Sequence, residues 1–184
     1  RLMKEYKSLR LVTRQNEKGL ASAVWRGIQE SKGSIIIWMD GDFSHPPRYI
    51  PDLLKYIGEY DVVCGSRYVN NGRDDRTFNR VLTSTLLNTF ARVILNLKIR
   101  DFTSGFYAVR KEVFSKVRLM ETGFAEYSIR FSYESIKNGF SFKEVGYISP
   151  NRNKGVSKTE GNFINFVCDG YKCLREIIRL KRGM

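Results

Sequence analysis

Two carboxylates one residue apart, Asp40 and Asp42, close an apolar run and are followed at once by a Pro-Pro stop. The run Ser34-Ile35-Ile36-Ile37-Trp38-Met39 is rich in β-branched side chains, so it reads as a strand buried on both faces, the kind found in the middle of a mostly parallel sheet. Ligands of open α/β sheets bind off the carboxyl ends of strands, which is where both aspartates fall. In extended geometry their side chains share a face and can reach one cation. Two hard carboxylates suit Mg²⁺ or Mn²⁺, with substrate phosphates completing the shell. The plainer alternative is a pair of solvated loop residues, one of them capping the helix that begins near Pro47.

Other residues could meet an anion. Arg67 follows the strand-like Asp61-Val62-Val63-Cys64-Gly65-Ser66 and would reach the same sheet edge, where its planar fork fits a phosphate; the alternative is an exposed surface arginine. Arg76, Arg80 and Ser84 recur every four residues along a helical pattern from about 76 to 97, and offer either two cations and a hydroxyl or merely a solvated face. Asp101-Phe102-Thr103-Ser104-Gly105 has small residues that let backbone approach a ligand, or make an ordinary turn. The basic stretch 151–158, with Arg152, Ser157 and Lys158 around Gly155, has the composition of a flap over a phosphate or of a surface connector.

The elements that would position these groups alternate. Leu9 to Thr13 reads as a strand, Gly19 to Ser31 as a helix, and the aspartate-bearing strand follows. Ile50 to Ile57 reads as a helix and residues 61–66 as a strand. This alternation predicts a doubly wound α/β layer. Polar residues 70–76 are the expected mobile segment. A helix over 124–138, a strand over 142–148 and a basic amphipathic helix from Asn162 to about Lys181 complete the pattern. That last helix could rest on an anionic membrane surface or pack its apolar stripe (Phe163, Phe166, Val167, Tyr171, Leu174, Ile177 and Ile178) on the domain.

Composition narrows the function class. The 184 residues carry 32 Lys and Arg against 19 Asp and Glu, a net charge of +13 that calls for an anionic partner. At 42% hydrophobic and 13% aromatic the chain is globular, not disordered. Three cysteines without metal-ligand spacing point to a reducing compartment. No run approaches transmembrane length, and no signal peptide is visible.

Taken together, these segments resemble the dolichyl-phosphate (polyprenyl-phosphate) mannose synthases, inverting family 2 glycosyltransferases of GT-A fold. Asp40-Gly41-Asp42-Phe43-Ser44-His45-Pro46-Pro47 is similar to their D-A-D-L-S-H-P-P. Gly65-Ser66-Arg67-Tyr68 matches G-S-R-Y, Asp101-Phe102-Thr103-Ser104-Gly105-Phe106 matches D-x-T-S-G-F, and Arg152 to Lys158 matches R-x-x-G-x-S-K. Gly19-Leu20-Ala21 with Gly27 fits a further glycine-containing region. The resemblance implies a GT-A three-layer α/β/α fold with a mostly parallel sheet. It implies Asp40 and Asp42 on Mg²⁺ or Mn²⁺, and Arg67, Arg80 and Ser84 on the acceptor phosphate. Arg152, Ser157 and Lys158 would close over the phosphates, and Ser104, with Asp101, would belong to the sugar pocket. Arg67 joins the aspartates in the expected catalytic set. The implied partners are a nucleotide-sugar donor, GDP-mannose first, a polyprenyl or dolichyl phosphate acceptor, and the cytoplasmic face of a membrane. No nucleic acid is expected.

Three departures qualify the match. Nothing before Leu9 resembles the family's P-x-x-N-E and D-D-x-S-x-D-G-T strands, so the chain is expected to be one catalytic domain lacking its first βαβ unit, and inactive alone. Gly123-Phe124-Ala125-Glu126-Tyr127-Ser128 stands where many relatives carry G-Y-x-F-Q-V-E, a change that bears on the sugar accepted. Gly41 replaces the commoner alanine. The competing readings are glucosyl or other transfer from a UDP-sugar, and a non-catalytic basic relative binding membrane or nucleic acid.

Overall fold

The computed structural model describes residues 2–16, 18–123, 125–151 and 163–183. A four-stranded sheet in the order β1-β4-β2-β5 forms its middle layer: β1 (Ile35–Trp38), β2 (Val62–Ser66), β4 (Tyr107–Arg110) and β5 (Phe142–Gly146). β4 is antiparallel to both β1 and β2, while β2 and β5 pair in parallel, so three strands share one direction and the fourth is reversed between them. The expected mostly parallel sheet is therefore present in strand direction. The position expected for β1 is corrected: it occupies an edge of this sheet, and Ile35 is exposed.

Alternation along the strands sorts side chains into two cores. Ile36, Trp38, Val62, Cys64, Tyr107 and Val109 face one side, where α2 (Leu20–Glu30) adds Ala21 and Ile28, and α5 (Glu126–Lys137) adds Tyr127 and Phe131. Val63, Phe106 and Ala108 face the other, against Leu53 of α3 (Ile50–Leu54), Ile57 and Tyr147. α6 (Phe163–Lys181) packs on both α4 (Phe78–Leu95) and α5, in a cluster that includes Ala91, Leu95, Ile129, Cys173, Ile177 and Leu180. α4 ends at Asn96 in the left-handed conformation, which asparagine tolerates. A four-residue helix, α1 (Leu2–Glu5), opens the chain.

Three further expectations change. Residues 9–13 form no strand, and Leu9, Leu11 and Val12 are exposed: strand composition makes a strand only where the segment pairs with another, and this one does not. Residues 70–76 are tied down: β3 (Arg73–Asp74) pairs in parallel with β6 (Ile148–Ser149), and Asp74 is buried in ion pairs. The apolar stripes of α4 and α6 are largely not core. Phe78 is 77% exposed and Tyr171 65%, and Leu82, Leu86, Val93, Val167, Leu174 and Ile178 are exposed too. Ala91 and Leu95 of α4 and Cys173, Ile177 and Leu180 of α6 are the buried members of the cluster the two helices share, and the residues named above lie outside it. Among the described residues, no helix is long and apolar enough to cross a membrane.

The end of β5 runs against the turn at 70–72. A Cβ added at Gly146 would lie 2.3 Å from the Asn70 carbonyl oxygen and 2.6 Å from the Gly72 nitrogen. Backbone cannot yield as a side chain can. Gly146→Ala is expected to lower unfolding free energy by about 1–3 kcal/mol, as a shift of the urea midpoint at constant slope.

Candidate active site

The reversal of β4 brings its amino end, Ser104-Gly105, to the same rim as the carboxyl ends of β1, β2 and β5. At that rim lies a cavity of about 150 Å³, lined among others by Asp40, His45, Arg67, Arg76, Arg80, Ser104, Gly105 and Tyr127. Four of the residues expected from sequence, Asp40, Arg67, Arg80 and Ser104, thus meet at one wall.

Asp40 and Asp42 are not on an extended strand. β1 stops at Trp38, and the chain turns through 41–45 with Phe43 left-handed at φ 63°. The Asp42 carboxylate accepts the Ser44 N–H at 3.0 Å and lies exposed beside the cavity, outside its lining. His45 holds the turn from beneath. Its Nδ1 accepts the Asp40 N–H at 3.0 Å, and its ring stacks on Phe106 and meets Tyr147 edge-on. Burial, then the nearby Arg67 charge, lowers its pKa to about 4, so the ring is neutral at physiological pH and Nε2 carries the proton.

Arg67 is 6% exposed and already engaged. Its Nε and Nη2 donate to the two oxygens of Asp101 at 2.8 and 2.6 Å, and its own N–H donates to Asp101 at 3.0 Å. Nη2 also donates to Thr103 Oγ1, and Nη1 is 3.6 Å from Asp74. Burial would lower the guanidinium pKa, but the Asp101 carboxylate outweighs it and raises it; burial would likewise raise Asp101, and Arg67 holds it low. The expected roles change accordingly. The fork of Arg67 is filled by Asp101, so it offers the cavity a fixed positive charge, not an open clamp. Asp101 is fully buried, outside the cavity lining, and anchors Arg67.

The same lattice reaches α4. Asn88 accepts the Phe102 N–H and donates to Thr103. Arg76 grips Asp74 through Nε and Nη2 at 2.7 and 2.6 Å and donates to Ser84 at 2.9 Å, while Ser84 donates to the Arg80 carbonyl. Ser84 lines a second space, an apolar groove of about 920 Å³ between α4 and α6 walled by Leu86, Leu87, Phe90, Val167, Tyr171 and Leu174. Arg67, Arg76, Arg80, Thr103 and Ala125 border both spaces, which therefore adjoin one another. Ser104, deeper in, donates to the Gly65 carbonyl at 2.5 Å. Arg152, Ser157 and Lys158 lie outside the described residues.

Arg76 and Tyr127 line the cavity although neither was given a role of its own from sequence. Arg76 stood out only as the head of the four-residue row with Arg80 and Ser84, and Tyr127 only as part of the segment 123–128 that departs from the relatives' pattern.

The donor set fits a divalent cation on limited terms. Among the described residues no three His, Cys, Asp or Glu groups converge as a cage. Nδ1 of His45 is committed to the Asp40 amide. The protein side thus amounts to the Asp40 and Asp42 carboxylates, the small share of ligands that Mg²⁺ or Mn²⁺ takes when phosphates and water supply the rest.

A reversed strand between parallel neighbours, with acidic and basic groups at one rim, is the architecture of GT-A glycosyltransferases. Glucosyl-3-phosphoglycerate synthase from Mycobacterium tuberculosis, solved with Mn²⁺, UDP and phosphoglyceric acid, superposes with a TM-score of 0.66 at 14% identity, over 91% of this chain and 56% of that one. The profile of glycosyl transferase family 2 matches residues 1–118, and the chain belongs to that family. It is 37% identical over 182 residues to a dolichol-phosphate mannosyltransferase of Pyrococcus furiosus, covering 95% of this chain and 48% of the relative. It is 34% identical over 158 residues to a polyprenol monophosphomannose synthase of Mycolicibacterium smegmatis, covering 82% and 60%. The chain thus spans about half to three-fifths of the length of these relatives.

Asp101→Asn keeps the shape and removes the charge facing Arg67. A loss of about 3–5 kcal/mol at neutral pH is expected, since it strands a buried cation. The native Asp101 and Asp74 carboxyls ionise more readily folded than unfolded, so their stabilisation is complete above the ordinary carboxylate value of 3.8 and drains away as pH falls through their lower folded values. The gap between wild type and Asp101→Asn should therefore be constant from pH 5 to 7, as round limits about one unit clear of that value, and narrow in stronger acid, followed by urea unfolding across pH.

Proposed function

We propose that this chain is the catalytic domain of an inverting glycosyltransferase that moves a sugar, mannose from GDP-mannose first, onto a polyprenyl or dolichyl phosphate. The observation that carries the reading is the adjacency of the two spaces: a polar cavity bordered by Asp40 and three arginines shares those arginines with an apolar groove between α4 and α6. A molecule with an anionic head and a long hydrocarbon tail is complementary to both at once. The names of the relatives support the same substrate class.

The chemistry follows from charge. A phosphate monoester has a second pKa of about 6, so near neutral pH the acceptor oxygen needs no protein base. The neutral His45 is then a support for the Asp40 turn and not a proton acceptor for the nucleophile. Arg76 and Arg80, with the fixed charge of Arg67 behind them, draw the acceptor dianion up to an equally anionic donor and offset the repulsion between them. Asp40 and Asp42 would hold Mg²⁺ or Mn²⁺, which supplies neutralisation of the charge that grows on the departing nucleoside diphosphate. Attack from the side opposite the leaving group inverts the anomeric carbon.

The groove is open along helices whose outer apolar residues, Phe78, Leu82 and Leu86 on α4 and Val167, Tyr171 and Leu174 on α6, stand in solvent beside Lys172, Arg175 and Arg179. Such a face suits the surface of an anionic bilayer, which supports a peripheral association with the cytoplasmic leaflet. The exposed basic groups serve that surface, and no nucleic-acid partner is invoked.

Two measurements on the full-length protein test this. Asp40→Asn should lower kcat at least about a hundredfold and abolish the response to added Mn²⁺ while a prenyl phosphate still binds; wild-type turnover would overturn the assignment. Leu86→Glu with Leu174→Glu should raise KM about tenfold or more for a long-chain prenyl phosphate, a loss of about 1.4 kcal/mol of apolar contact, and leave a water-soluble short-chain acceptor unaffected. Equal effects on both would remove the groove from the acceptor site.

A further inference from the structure

Gly105 lies on the cavity wall, and the space in front of it is polar on three sides. A Cβ there would stand 3.2 Å from His45 Cε1, 3.5 Å from the Tyr127 hydroxyl and 3.8 Å from Asp40 Oδ1. These three side chains come from two separate stretches: the turn after β1 supplies Asp40 and His45 at its two ends, and the first turn of α5 supplies Tyr127. Gly105 is not among the glycines of positive φ, so the backbone does not demand glycine here; only the space does. The absent side chain leaves a notch walled by a carboxylate, a hydroxyl and an imidazole edge.

Tyr127 is built to act there as a hydrogen-bond donor. Its ring is 3% exposed and packed in the core that contains Trp38, Tyr107 and Phe131, so the hydroxyl is held in place without loss of freedom on binding. Burial, then the charge of Asp40, raises its pKa, and the phenol keeps its proton at any working pH. Asp40 offers the complementary acceptor. A hydroxyl group, which both donates and accepts, is the ligand that satisfies such a pair.

We propose that the notch beside Gly105 receives one hydroxyl of the transferred sugar, and that Tyr127 is the residue that selects the sugar by that hydroxyl. The proposal rests on the reading of the protein as a sugar transferase. A site built to pair a substrate hydroxyl discriminates strongly against an analogue without it, because its own buried polar groups are then left unpaired. Ser104 positions the notch by holding the Gly65 carbonyl, and has its own hydroxyl occupied in doing so.

The test crosses enzyme variants with substrates. kcat/KM is measured on the full-length protein for the parent nucleotide sugar and for its 2-, 3-, 4- and 6-deoxy forms, with wild type, Tyr127→Phe and Gly105→Ala. Tyr127→Phe should lose about tenfold with the parent sugar, the worth of one hydrogen bond of about 1.4 kcal/mol. It should lose nothing further with one particular deoxy donor, and keep the tenfold loss with the other three. Gly105→Ala, which fills the notch, should lose more with the parent sugar and recover part of it with that same deoxy donor. A merely structural role for Tyr127 predicts one factor for every donor, and that result would overturn the proposal, as would parent-sugar turnover unchanged in both variants. Should Tyr127→Phe fail to fold, the wild-type deoxy series and Gly105→Ala decide alone: no single position of strong discrimination, or no recovery, rejects the notch. Wild-type protein inert with every nucleotide sugar tried would strike the proposed function itself, and the notch's ligand with it.

Discussion

The buried pairing of Arg67 with Asp101 is the constraint on which the rest of the rim depends. Two ions out of water are costly unless each is fully met, and here nearly every valence is used: Asp101 takes three hydrogen bonds from Arg67, and Thr103, Asn88, Asp74 and Glu144 complete the surroundings. The partners come from the end of β2, the loop before β4, β3 and α4. One lattice therefore sets the relative positions of the cavity floor, the Arg76–Arg80 row and the entrance to the groove. A hydrophobic replacement could stabilise this place equally well, but it would not leave a positive charge facing the cavity.

Much of this was legible before any coordinates. The strands Ile35–Trp38, Val62–Ser66 and Phe142–Gly146 and the helices beside them followed from hydrophobic period, while β3 and β4 were not anticipated. The motifs put Asp40, Arg67 and Ser104 on the page, the four-residue row added Arg80, and the fold gathers them at one rim. What stayed illegible had physical causes. Arg67 could be seen as a phosphate fork, yet nothing local says that a carboxylate 34 residues later already fills the fork. Residues 9–13 have strand composition and pair with no neighbouring strand, which composition alone does not reveal. The reversed direction of β4 is invisible to period-two patterning, since alternation reads the same both ways along a strand.

The apolar faces of α4 and α6 show the same lesson with the sign changed. Their stripes looked like core because a core and an interfacial surface ask for the same residues. What separates the two is whether another layer covers them, and here Ala91, Leu95, Cys173, Ile177 and Leu180 are covered while Phe78, Leu86 and Tyr171 remain outside. Stability is given up for a face that can meet hydrocarbon, and the groove between the helices continues that face inward to the arginines.

The threading of the sheet also governs how the chain must be made. β1 waits for β4, whose Tyr107 pairs with Trp38, and β2 waits for β5, whose Phe142 pairs with Val62. At roughly 5–20 residues per second, a ribosome needs several seconds to deliver each missing neighbour. Until then the Ile35–Trp38 and Val62–Ser66 strands are emerging polypeptide with open edges and sticky side chains, so nascent-chain chaperones have more to guard in this domain than in one built from adjacent hairpins.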